Sequence, residues 1–132
     1  MNYDPPKIGV IAIVDDDEPL HEALGSILRA AGFPISTFCS AEDFLNSPHR
    51  ETTACLILDV RLPGMSGIEL QRRLLADHSW MPIIFISGHA DASLRDVAMR
   101  AGVIDFLSKP VRSDALLKAI RSALATRPDQ GQ

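Results

Sequence analysis

Three short, wholly apolar runs constrain the fold most: IGVIAIV at 8–14, ACLIL at 54–58 and PIIFI at 82–86. A strand with one wet face alternates apolar and polar residues. A strand covered on both faces does not, and reads as a continuous apolar run too short for a helix. The stretches between follow a different period. Residues 19–31 place Leu20, Ala23, Leu24, Ile27, Leu28 and Ala31 on one helical face, with Pro19 in the first turn and Gly32 at the end. Residues 34–39 read as a short strand, and Ser40 as the N-cap of a short helix carrying Phe44 and Leu45. The spacing predicts a helix over 67–77 with Ile68, Leu70, Leu74 and Leu75 inward, and another over 91–101 with Leu94, Val97, Ala98 and Ala101 on one side. A strand at 104–107 and a helix capped by Ser113, burying Leu116, Leu117, Ile120 and Leu124 to about residue 125, complete the pattern. Five strands alternate with five helices. That pattern implies an α/β fold: a doubly wound parallel sheet with helices on both faces.

A length of 132 residues suits one domain, placed at 1–126, with 127–132 (RPDQGQ) as a polar tail or the start of a linker. Thirteen basic against seventeen acidic residues give a net charge of −4. Bulk charge therefore argues against direct contact with nucleic acid or an anionic membrane. No apolar run approaches the ~20 residues of a membrane span. Residues 1–7 are polar and proline-bearing, so no secretory signal is expected there. Cys39 and Cys55 lack metal-site spacing, and reduced thiols in a cytoplasmic protein are the expectation.

Open parallel sheets bind ligands beyond the carboxyl ends of their strands. There the sequence places Asp15, Asp16, Asp17 and Glu18 after the first strand and Asp59 after the third. Ser87 and Gly88 follow the fourth, and Lys109-Pro110 the fifth. Two unit charges ~4 Å apart repel by about 4 kcal/mol at an effective dielectric of 20. Asp15, Asp16 and Asp59 converging in one cleft therefore call for a cation. A hard divalent ion with oxygen ligands, Mg²⁺, fits that donor set. The acids at 15–18 would also complement the first helix dipole. Lys109 adds a compact positive charge at the same edge, and a Lys-Pro bond in a tight turn can be cis.

VDDDEP at 14–19, LDVRLPGMSG at 58–67, FISGHAD at 85–91 and DFLSKP at 105–110 together resemble the receiver domain of two-component response regulators, in the right order across about residues 8–125. The wording is closest to FixJ-like receivers, which usually precede a DNA-binding helix-turn-helix domain. The resemblance implies a flavodoxin-like sheet of strand order 2-1-3-4-5. It makes Asp59 the phosphoacceptor for the phosphohistidine of a sensor histidine kinase. Asp16 becomes a direct Mg²⁺ ligand, Asp15 acts mainly through water, and the Arg61 backbone carbonyl is the third protein ligand. Ser87 and Lys109 would hold the phosphoryl group, Phe106 would be the switch aromatic, and Arg61 and His89 would tune phosphoryl lifetime. Phosphorylation would move Ser87, let Phe106 rotate into the vacated space, and drive homodimerisation through the face of the fourth helix, fifth strand and fifth helix. That face includes Arg95, Met99, Arg100, Val111 and Arg112. The domain would be a signalling switch rather than an enzyme, with only weak autophosphorylation and self-dephosphorylation activity.

Two rival readings are a stand-alone receiver and, at greater remove, a Mg²⁺-dependent aspartyl-phosphate hydrolase. The hydrolase needs a second Asp two residues after the nucleophile, where this chain has Arg61. His21, His49 and His78 share no metal spacing and read as surface residues. Met65 is expected to pack the start of the next helix, Trp80 to shield the end of that helix, and Cys55 to be an inert core thiol.

Overall fold

All three apolar runs become strands of one sheet. A computed structural model describes residues 9–88, 92–100 and 102–126. The strands are β1 (Val10–Val14), β2 (Ile35–Phe38), β3 (Thr53–Asp59), β4 (Ile83–Ser87) and β5 (Asp105–Ser108). The helices are α1 (Glu18–Ala30), α2 (Ala41–Leu45), α3 (Gly67–Ala76), α4 (Ala92–Arg100) and α5 (Ser113–Ala125), with a 3-10 turn at Pro48–Thr52. Every strand pairing is parallel and the order is β2-β1-β3-β4-β5, as the resemblance implies. Ile8, His89, Asp91, Ala101 and the tail from Arg127 lie outside the described residues, as do the side chains of His49 and Leu94.

Strand alternation divides the core in two. Ala12 and Val14, Leu56 and Leu58, and Ile83 and Phe85 point to one side, where they meet Ala41 and Phe44 of α2, Leu70 and Leu74 of α3 and Ala98 of α4. Ile11 and Ile13, Cys55 and Ile57, and Ile84 and Ile86 point to the other, against Leu24 and Leu28 of α1 and Leu116, Ala119, Ile120 and Ala123 of α5. Two covered faces explain the continuous apolar runs. Burial pushes the Cys55 thiol up to about 12, which makes it inert.

Helix faces differ from expectation at particular residues. In α3 the buried stripe is Gly67, Leu70, Gln71 and Leu74. Leu75 lies one residue beyond that stripe and is 51% exposed. In α4 the small Ala98 faces the sheet, and Val97, about 100° round the helix, is 42% exposed. Ala23 and Ala31 are exposed. His21, expected at the surface, is buried because it shares the α1 stripe with Leu24, Gly25 and Leu28. Ser113 does not cap α5. Arg112 is the N-cap residue, and its guanidinium pairs with Asp114 at 3.1–3.2 Å and holds that carboxyl below its usual range. Ser40 does cap α2, accepting from the Asp43 N–H at 3.0 Å. Met65 is half-buried and packs against the α2–α4 side of the core, and Trp80 is 39% exposed in the segment entering β4.

Candidate functional site

Parallel pairing brings the strand ends to one edge. Val14 pairs with Leu58, Asp59 with Ile86, and Ser87 with Ser108. Asp15 therefore emerges from β1 beside Asp59 at the end of β3, with Ser87 and Lys109 following on β4 and β5. One carboxylate oxygen from each of Asp15, Asp16 and Asp59 lies within 4.8 Å of the other two. Asp15 is fully buried, Asp59 is 5% exposed, and Asp16 is exposed at the mouth. Asp17 stands outside the group and serves as the α1 N-cap residue through its backbone.

The two buried acids are held alike. Asp15 Oδ1 accepts the Asp17 N–H at 2.9 Å, and Asp59 Oδ1 accepts the Arg61 N–H at 3.0 Å. Each is a local turn in which a side chain accepts from the backbone two residues on. Lys109 Nζ takes both remaining oxygens, donating to Asp59 Oδ2 at 3.2 Å and making an ion contact with Asp15 Oδ2 at 2.9 Å. Burial pushes the Asp15 carboxyl up, and the Asp59 charge adds to this; Lys109 and the Asp17 N–H oppose it. Burial pulls the Lys109 ammonium down, but its two carboxylate contacts together hold it above its usual value. Among these four side chains, three carboxylates face one ammonium. The excess negative charge and the all-oxygen donor set fit a hard divalent cation.

The loop after β3 is tied tightly to the sheet. Val60 N–H donates to Ile86 O at 3.1 Å, and Gly67 N–H to Val60 O at 3.0 Å. A Cβ on Gly67 would collide with the Asp59 carbonyl oxygen, so the start of α3 can lie against the phosphoacceptor candidate only with glycine there. Ser66 and Glu69 then form a capping box, with bonds of 3.0 and 3.1 Å, that sequence reasoning missed although the S-x-x-E spacing carries it. Lys109 leads into a cis peptide bond with Pro110, and its N–H donates to Ser87 O at 2.8 Å.

Ser87 is 1% exposed at the end of β4. Phe106, expected to rotate inward upon phosphorylation, is inside in this structure. It is 6% exposed, with its ring centroid 6.4 Å from that of Phe85. Register explains this, because Phe85 and Phe106 are paired neighbours on the same side of the sheet. Arg95, Met99, Arg100 and Arg112 are exposed and Val111 partly buried along α4, β5 and α5.

Residues 11–121 match the family model of the response regulator receiver domain. The chain belongs to that family. This membership leaves the aspartyl-phosphate hydrolase without support. The receiver is 48% identical over 124 residues to the response regulator protein TodT of Pseudomonas putida, covering 94% of this chain and 55% of the relative. It is 40% identical over 116 residues to the transcriptional regulatory protein FixJ of Bradyrhizobium diazoefficiens, covering 88% of this chain and 57% of the relative. Among solved structures, that of response regulator StyR aligns with a TM-score of 0.81 at 46% identity, covering 88% of this chain and 59% of that one. FixJ-N aligns with a TM-score of 0.82 at 34% identity, covering 93% and 98%. The chain spans about half the length of the curated relatives it matches. No helix among the described residues is long and apolar enough to cross a membrane.

Proposed function

We propose that this receiver is a phosphorylation-controlled switch in which Asp59 accepts a phosphoryl group from the phosphohistidine of a sensor histidine kinase. The observation that carries this is Asp59 itself. It is a nearly buried carboxylate at a strand end, with an ammonium on one oxygen and two more carboxylates within metal-sharing distance. An Asp59 oxygen forms the new O–P bond as the donor's P–N bond breaks and the imidazole keeps the electron pair. Phosphoryl transfer needs mainly positioning and neutralisation of the equatorial oxygens. Lys109 supplies a cation beside the acceptor, and Ser87 a hydroxyl at the next strand end. Mg²⁺, held by Asp15, Asp16, Asp59 and the Arg61 carbonyl, supplies further neutralisation when bound.

The acyl phosphate is lost slowly to water, and Arg61 and His89 tune its lifetime. No small molecule is turned over for its own sake, so the domain is a switch and not an enzyme. Its charge and thiols suit the cytoplasm, residues 1–126 form the receiver, and 127–132 begin a tail or linker. TodT and FixJ are named as a response regulator and a transcriptional regulator. By that likeness the output is transcriptional, through a DNA-binding domain rather than through this one.

Borohydride trapping of the acyl phosphate, followed by peptide mapping, is expected to mark Asp59; a mark on Asp15 or Asp16 would contradict the assignment. Phosphorylation gives the site new charge and strong acceptor oxygens, which Ser87 can follow. The readout is homodimerisation through the α4–β5–α5 face. Sedimentation with and without an acyl phosphate mimic should show a monomer becoming a dimer. A monomer in both states would contradict that output.

A further inference from the structure

The β3–α3 loop, residues 60–66, carries the Arg61 carbonyl and is fixed at its two ends by the bonds described above. Its C-terminal half meets a side chain from another element. Glu42, in the first turn of α2, reaches across so that its Oε2 accepts the Met65 N–H at 3.0 Å. Gly64, at a φ of +75°, turns the chain there, and a Cβ on it would stand 2.7 Å from the same oxygen. The glycine thus serves both the turn and the approach of the carboxylate. Glu42 is exposed, so burial does not drive it to this position. Its own helix is firmly seated: Ala41 and Phe44 are fully buried, and Phe44 packs edge-on against Phe38 with centroids 5.4 Å apart. The Met65 N–H holds the Glu42 carboxyl below its usual range, which agrees with an ionised acceptor.

We propose that Glu42 is a positioning residue that braces the β3–α3 loop against α2 and thereby fixes the Arg61 carbonyl and the Asp59 turn for the metal and the phosphoryl group. This rests on the phosphoacceptor function above. Glu42 touches neither ligand; it acts through the loop backbone. The brace makes α2 part of the site, although α2 contributes nothing to the strand-end constellation.

The test uses Glu42→Ala and Glu42→Gln in the full chain, following Met65 amide exchange by NMR and Mg²⁺ affinity by titration. Removing one charge-assisted bond should raise Met65 exchange about tenfold in Glu42→Ala and weaken Mg²⁺ binding about threefold, with Glu42→Gln, which keeps an acceptor oxygen, staying near the wild type. Unchanged exchange and unchanged Mg²⁺ affinity in Glu42→Ala would overturn the brace. A loss of melting temperature with Mg²⁺ affinity intact would overturn it too, leaving a purely structural contact. Acetyl phosphate labelling of the wild type alongside separates the two claims. Failure to label Asp59 overturns the phosphoacceptor function, while the exchange and affinity data still judge the brace.

Discussion

Asp15 and Asp59 solve one problem in one way. Each gives one oxygen to a backbone N–H two residues on and the other to Lys109. One ammonium cannot balance these two carboxylates and Asp16, so the site holds repulsion that a bound cation would relieve. For Asp15 the sign is clear. Its folded-state pKa is raised, so ionisation costs stability, fully above the folded value and not at all below the ordinary carboxylate value. Asp15→Asn should therefore raise the metal-free melting temperature near pH 7 by about 3 °C, the shift that about 1 kcal/mol brings at this size. That gain should shrink as the buffer is made acidic. Added Mg²⁺ should stabilise the wild type by mass action and the variant little. Paired thermal melts with and without Mg²⁺ check both halves. The sequence shows these residues because strand ends are legible in it. It does not show which acid is buried, since Asp15, Asp16 and Asp17 are chemically identical there and only the turn closed by the Asp17 N–H sorts them.

Elements were legible where packing is repetitive. The apolar runs of β1, β3 and β4 come from two covered faces, and so announce themselves. Faces of single helices are less so. Leu75 and Val97 match helical spacing, yet among the described side chains the buried ones are Leu70, Gln71 and Leu74 in α3 and Ala98 in α4. His21 lies on the α1 stripe by spacing alone, and only its polarity suggests the surface. Glu42 carries no local signal, because its partner Met65 is 23 residues away. The close approach of α3 to β3 yields a prediction of its own. Gly67→Ala forces a Cβ against the Asp59 carbonyl oxygen, a fixed backbone atom. It should cost about 1–3 kcal/mol in urea unfolding, the range of overpacked sites, and weaken Mg²⁺ binding by displacing Asp59. Gly32→Ala is no control, since its φ of +92° is itself strained.

At the scale of the molecule, the parallel sheet gathers distant residues at one edge. Asp15, Asp59, Ser87 and Lys109 come from four strand ends, and three of the seventeen acidic residues share one cluster. Without those three the net charge of −4 would be −1, so much of the net acidity that argues against nucleic acid is local to the site. It says little about a regulator whose relatives are nearly twice as long as the matched region. The proposed switch depends on Asp59 accepting a phosphoryl group at this edge. Intact mass spectrometry after incubation with acetyl phosphate and Mg²⁺ measures that directly. The wild type should gain the mass of one phosphoryl group and Asp59→Asn none; equal labelling of the two proteins would contradict the assignment.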